Sequence, residues 1–473
     1  MKKLKRLLII LSLLFSVTAM AAKTGYKITF VADGNSDSVL YMGYYYAEER
    51  YYCDTALNNG KGKFVFEGKR ELHPGLYFIT NSTNRYVDFV VYHEPQFYTL
   101  RTENDNWLMR MQVKGSKENE VFYNYKRATE SIYQEVDEMK QQMDSVEFNQ
   151  NYIPLQRKRM DSVLNYFIDH YPERMISRMT KATKDVEVPK EKADGTPMTD
   201  RERMEWFLAH YFDNVPLDDD FIVRTPKWIF YQRVMDYVDK QMYRMPPDMI
   251  CPLLDSMIDR AEPAPEVYKW LVHKMTEHFL QSRVMVYDEV YCHLALRYYG
   301  SGKAFWSSPS VIDEQVERAT KWERLLVGKV SPELILFDTL HVAHSLHHMP
   351  GRYTLLVFWS PTCGHCRETI PAVYNVFEQY ADTIGMSAFA ILSEPDDQTV
   401  EKWKHFLDEH HMTDTRWVHL NGGEANVDWR QVYDITSTPQ IYLIENKEHK
   451  FVAKKLSADI FENICKAILN GNF

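Results

Sequence analysis

Between Tyr26 and about Val113 apolar residues come in short runs, at 26–31, 39–42, 63–66, 75–79 and 87–91, separated by Asp33-Gly34-Asn35, Asn58-Asn59-Gly60 and Pro74-Gly75. Short runs bounded by turn residues predict an antiparallel β sandwich or barrel. Its tyrosines, Tyr44, Tyr45 and Tyr46 among them, read as cross-strand packing in preference to a carbohydrate-stacking surface. At Gly115-Ser116 the period changes. Ser116 suits a helix cap, and from Glu118 to about Thr180 apolar residues recur at helical spacing. Residues 181–200 are charged, with Pro189, Gly195 and Pro197, and read as an exposed loop. Helices then resume, with Val267, Trp270, Leu271, Met275 and Phe279 on one face and Ser308-Pro309 as a helix start, and the all-α region runs to about Leu326.

From Gly328 strand and helix alternate. The apolar run 353–359 is what a buried parallel strand needs. A helix follows from about Cys366 to Tyr380, then a strand at 387–392, a helix at 398–410, strands at 417–420, 440–444 and 451–453, and a helix at 458–469. The expected fold class is therefore multidomain: an all-β N-terminal domain at 22–115, an all-α middle domain at 116–327, and an α/β domain at 328–473. A chain of 473 residues is long enough for this division.

The first 21 residues stand apart. Lys2, Lys3, Lys5 and Arg6 precede an apolar run that ends at Ala19-Met20-Ala21, the pattern of a secretory signal cleaved near Ala21 or Ala22. No later stretch of about 18 apolar residues predicts a membrane span. The reading is a soluble periplasmic or cell-envelope protein, in a compartment where disulfide exchange takes place. The net charge of −10, without a long basic run, disfavours nucleic acid as a partner.

One motif carries chemistry. Trp359-Ser360-Pro361-Thr362-Cys363-Gly364-His365-Cys366 closes the apolar strand and opens a helix. A thiol at a helix N-terminus faces unpaired backbone N–H groups and the positive end of the dipole, which favour thiolate, so Cys363 is the expected nucleophile. Cys366, three residues on, is within disulfide reach and can resolve a mixed disulfide. Zinc would need a second cysteine pair, and Cys53, Cys251, Cys292 and Cys465 are scattered singles. No metal or cofactor is expected. Cys465 shares a helical face with Phe461, Ile464 and Ile468 and reads as a buried thiol; whether Cys251 and Cys292 pair stays open. His341, His344, His347 and His348 read as the solvated rim of a hairpin, since no carboxylate or Cys completes a ligand spacing.

With Pro371 in the following helix and Ser437-Thr438-Pro439 before the strand at 440–444, this segment resembles the thioredoxin superfamily, and within it the TlpA/ResA-like thiol-disulfide oxidoreductases of bacterial envelopes. The whole chain is similar to envelope thioredoxin-like proteins with an N-terminal β domain and a helical middle domain. The resemblance implies a cis peptide at Pro439 facing the dithiol, with Trp359, Gly364 and Thr438 lining the substrate groove. It implies disulfide-containing envelope proteins as substrates and an upstream thiol partner for electrons. Val357 stands where thioredoxin has a buried Asp. ResA-like reductases often place a Glu three residues after the second Cys; Thr369 is there, and Glu368, one residue early, is the candidate proton acceptor. Gly364-His365 is the dipeptide of protein disulfide isomerase, where His favours the reduced form, at about −180 mV against about −270 mV for thioredoxin. The scaffold points to reduction and the dipeptide to oxidation or isomerisation. Two alternatives differ in class. A thiol peroxidase requires Pro-x-x-x-Thr-x-x-Cys and fails at Leu356, and a non-catalytic envelope binding protein would leave the dithiol without a role.

Overall fold

The computed structural model describes residues 24–472 except 339 and 395, without the side chains of 397, 398 and 424. The expected signal at 1–21 lies outside the described residues. The described chain forms two compact units, one of residues 24–243 with Asp259–Tyr268, the other of residues 244–258 with 269–472.

The first unit opens with eight strands: β1 (Tyr26–Asp33), β2 (Val39–Tyr46), β3 (Glu49–Leu57), β4 (Lys63–Gly68), β5 (Gly75–Thr80), β6 (Tyr86–Val91), β7 (Phe97–Glu103) and β8 (Gln112–Lys114). They form two four-stranded sheets, ordered β4-β1-β7-β8 and β3-β2-β5-β6. Period-two alternation builds them: in β1, Ile28, Phe30 and Ala32 are buried while Lys27 and Asp33 are exposed. The arrangement departs from the expected all-antiparallel pairing, because β1 and β7 run parallel. The other sheet lies between them in the chain, so no hairpin dictates their direction. The tyrosines pack across strands, Tyr44 stacked on Tyr51 at 5.7 Å and Tyr41 edge-on to Tyr52 at 5.9 Å.

Ser116 caps α1 (Lys117–Gln142) by accepting from the N–H of Asn119 at 3.0 Å. The fully buried Asn119 amide then acts as a surrogate strand. Its Oδ1 accepts from the N–H of Val90 and its Nδ2 donates to the Val90 carbonyl, both at 2.8 Å, closing the free edge of β6. Asp144 starts a new turn, and α2 (Ile153–His170) and α3 (Met175–Ala182) follow. The buried Glu118 carboxylate accepts from Arg174 at 3.0 Å and from the N–H of Met175 at 3.1 Å, tying α1 to α3. After the largely exposed loop, Thr199 and Glu202 cap α4 (Asp200–His210) reciprocally.

Four further helices of eight residues or more precede the last sheet: α5 (Pro247–Asp259), α6 (Pro265–Leu280), α7 (Tyr287–Leu294) and α8 (Pro309–Glu323). In the second unit come β9 (Ile335–Asp338), β10 (Ala343–Ser345), β11 (Tyr353–Trp359), α9 (Gly364–Ile384), β12 (Met386–Leu392), α10 (Asp397–Glu409), β13 (Trp417–Ala425), β14 (Gln440–Glu445), β15 (Lys450–Lys454) and α11 (Ala458–Leu469). The seven strands form one sheet, ordered β10-β9-β13-β12-β11-β14-β15, with β11, β12 and β13 parallel. Every residue of β11 is buried, and its alternate side chains serve two cores. Leu355, Val357 and Trp359 pack with Ile370 of α9, Phe406 of α10 and Phe461 of α11; Leu356 and Phe358 pack with Leu334, Trp429 and Tyr433. The continuous apolar run therefore reads as a strand covered on both faces. Gly385, at φ +74°, ends α9 and turns the chain into β12.

The Asn119 latch is testable. Asn119→Ala leaves the buried N–H of Val90 without a partner, while the Val90 carbonyl keeps the Tyr98 hydroxyl at 3.3 Å, so unfolding in urea should require about 1–3 kcal/mol less. A loss below about 0.5 kcal/mol would show that the edge of β6 is held by something else.

Candidate active site

The sheet register aims two loops at one point. β11 delivers the chain to 360–362, and Cys363 is the N-cap of α9, at φ −78° and ψ 121°. Its Sγ accepts from the N–H of Cys366 at 3.4 Å, and the thiol is 3.2 Å from the Thr438 carbonyl, to which it donates. The Thr438–Pro439 peptide is cis and leads straight into β14, the antiparallel neighbour of β11. Cys363, Cys366, Thr438 and Pro439 thus meet at the edge where α9 begins. Gly364 and His365 are exposed on the first turn, and a Cβ at Gly364 would meet nothing within 4 Å.

The two thiols are pulled in opposite directions. Burial alone would raise Cys363, but hydrogen bonds with the side chains of Cys366 and Thr438 and with the backbone N–H groups of Cys366 and His365 outweigh it and lower its pKa. Cys366 is fully buried, which pushes its thiol up to about 12, and its own bond to Cys363 adds to the rise. Burial pushes Cys53, Cys251, Cys292 and Cys465 up to about 12 as well. All four are free thiols. Cys363 alone among the six cysteines is shifted toward thiolate.

Two expected roles do not survive the geometry. Trp359 is 0 % exposed and packs its ring 5.2 Å from Phe406, inside the core, so it supports the site from below and cannot line a substrate groove. Glu368 is exposed, and two residues beyond Cys366 place it about 200° around the helix. It therefore faces away from the buried thiol and is not positioned to take its proton.

A different carboxylate stands at the site, unannounced by the motif. Glu394, just past the end of β12, accepts from Thr362 Oγ1 at 2.9 Å and from Ser360 Oγ at 3.1 Å. The two hydroxyl oxygens lie 2.7 Å apart, so either can give its proton to the other in place of Glu394, and the N–H of Thr362 donates to Ser360 Oγ. This network fixes the three residues that present Cys363. It was invisible along the chain because the partners are more than 30 residues apart and only the parallel register, with Trp359 opposite Leu392, brings them together. The hydroxyls at 360 and 362 were the available signal. Of the four histidines His341, His344, His347 and His348, three take separate side-chain partners: His344 pairs with Asp338 at 2.9 Å, His347 with the Ser331 carbonyl at 2.8 Å, and His348 with Ser345 at 2.7 Å. Among the described residues no group of three or more metal-ligating side chains converges.

Two family models match the chain, Domain of unknown function (DUF4369) over residues 26–122 and Domain of unknown function (DUF5106) over residues 124–325. A curated relative, thioredoxin-like protein YneN of Bacillus subtilis, is 25 % identical over 120 residues, which is 25 % of this chain and 66 % of that protein. The chain is thioredoxin-like over part of its length. Among solved structures, a thioredoxin-like protein from Bacteroides caccae aligns with a TM-score of 0.47 at 18 % identity, over 60 % of this chain and 98 % of that one. A thiol:disulfide interchange protein from a Bacteroides species aligns with a TM-score of 0.26 at 28 % identity, over 31 % of this chain and 91 % of that one. No described helix is long and apolar enough to cross a membrane.

The opposed shifts set a labelling order. Alkylation requires thiolate, so with limiting iodoacetamide Cys363 should label first, and its rate should rise with pH to a midpoint below that of a free thiol. Cys366, held near 12, should stay unlabelled until strongly alkaline pH. Peptide mapping that found Cys366 labelled before Cys363 would reverse the assignment.

Proposed function

We propose that this protein is an exported thiol-disulfide oxidoreductase of the TlpA/ResA-like kind, reducing or reshuffling disulfides in cell-envelope proteins. The observation that carries the reading is the asymmetry of the dithiol. Cys363 is half-exposed at a helix N-cap and shifted toward thiolate, over a Cys366 that is buried and protonated.

In the forward direction the Cys363 thiolate attacks one sulfur of a substrate disulfide. A bond forms between Cys363 and that sulfur, and the other substrate sulfur leaves as thiolate and takes up a proton. Cys366 then gives up its proton as its sulfur attacks Cys363 Sγ. The mixed disulfide breaks, the second substrate sulfur departs as a thiol, and the Cys363–Cys366 disulfide remains. Two electrons have passed to the substrate, and an upstream thiol partner returns them. Thr438 and Pro439 border Cys363, where an extended substrate backbone would lie. His365, exposed beside the dithiol, favours the reduced form when it donates to or sits as a cation near the thiolate. The export signal at 1–21 supports the compartment and so the substrate class.

The test is trapping with the full chain. Cys366→Ala should accumulate mixed disulfides through Cys363, whereas Cys363→Ala should trap none. Insulin reduction with a thiol recycling system should fall at least about a hundredfold in either variant, since nucleophile and resolving thiol act as a unit. Insulin reduction by Cys363→Ala at the wild-type rate would refute the proposal.

A further inference from the structure

The segment carrying Thr438 is gripped from behind at both ends by helices that precede the sheet in sequence. At its start, Trp322 in the last turn of α8 donates its indole N–H to Asp434 Oδ2 at 2.6 Å. The indole packs 5.2 Å from the Tyr291 ring of α7, and Asp434 holds a left-handed backbone at φ +50°. At its far end β14 begins at Gln440, directly after Pro439, and Tyr442 pairs across the sheet with Lys454 of β15. Lys454, 5 % exposed, forms an ion pair with Asp288 of α7, 3 % exposed, and its Nζ also donates to the Leu325 carbonyl at 2.9 Å. Its backbone N–H lies 3.0 Å from the Met285 sulfur. Leu325 completes the apolar cluster of Phe358, Tyr433 and Tyr442. A cavity of about 110 Å³ lies at this junction, with Thr436 and Gln440, the residues flanking Ser437-Thr438-Pro439, in its wall together with Asp288 and Trp322.

We propose that residues 285–326 are a brace for the active site: Trp322 and Asp288 are positioning residues that fix the 434–440 segment, and so hold Thr438 against Cys363. The proposal rests on the thiol-exchange reading above and adds to it that the catalytic apparatus extends upstream of the α/β segment. Neither residue touches a reacting atom. A buried ion pair keeps its geometry because displacing either partner leaves an uncompensated charge, so the Asp288–Lys454 pair sets the far end of the segment. The indole bond sets the near end. Between these anchors the Thr438 hydroxyl supplies part of the hydrogen bonding that favours the Cys363 thiolate, while the Thr438 carbonyl accepts from the Cys363 thiol at 3.2 Å.

Trp322→Phe keeps one six-membered aromatic ring against Tyr291 and removes the N–H donor with the five-membered ring; Asp434→Ala removes the acceptor from the other side. In the full chain both should move the pH profile of Cys363 alkylation, read by peptide mapping, toward alkaline pH. A rise of half a unit lowers labelling about threefold below the midpoint. In insulin reduction KM should rise more than kcat falls. Asp434→Asn, which retains an oxygen acceptor, should restore a wild-type profile. Unchanged Cys363 profiles in folded Trp322→Phe and Asp434→Ala chains would overturn the brace, as would a shift of equal size in Asp434→Asn. A wild-type chain inactive on insulin would instead count against the exchange reading, and the alkylation profiles would still judge the brace.

Discussion

The structure depends on one juxtaposition: the first turn of α9, with its unpaired backbone N–H groups, set against the Thr438–Pro439 segment at the mouth of a fully buried strand. A thiolate in a half-buried position carries a desolvation cost that hydrogen bonds must offset. The amides of His365 and Cys366, the Cys366 thiol and Thr438 do so. All of these come from the local turn and from the loop before β14. The same burial that must be outweighed at Cys363 is left unopposed at Cys366, and this keeps the second thiol protonated until it is called on.

Holding those two pieces together is the work of the second unit. β11 is buried along its whole length and flanked by β12 and β14, so the positions of residue 360 and of residue 440 are fixed by ladder hydrogen bonds. The Glu394 network fastens the loop on one side of the dithiol. On the other side the Trp322–Asp434 bond fastens the loop, and the Asp288–Lys454 pair holds β15, the neighbour of β14. Trp359, fully inside the core, makes the strand end rigid, which is a supporting role different from contact with substrate.

Much of this was legible along the chain because local chemistry determines it. The Cys-x-x-Cys spacing, the apolar run before it, Ser116 and Ser308 as caps, and the buried face of α6 all follow from periodicity and short-range hydrogen bonding. Features fixed by strand neighbours far apart in sequence were not. The parallel pairing of β1 with β7, Glu394 beside Ser360 and Thr362, and the Trp322–Asp434 bond each join residues more than 30 positions apart. β3 escaped for another reason: as an edge strand its side chains are mostly exposed, so it carries no apolar alternation. Trp359 was misread because an aromatic residue next to a reactive motif looks the same in sequence whether it faces the ligand or the core.

The most direct test of the account is the redox couple itself. The full chain should be equilibrated against a graded thiol/disulfide buffer, quenched in acid, alkylated under denaturing conditions, and its disulfides mapped by peptide mass. One reversible two-electron couple should join Cys363 to Cys366, with Cys53, Cys251, Cys292 and Cys465 remaining thiols across the range. A dithiol that never closes, or a disulfide that takes Cys363 to any other cysteine of the chain, would contradict it.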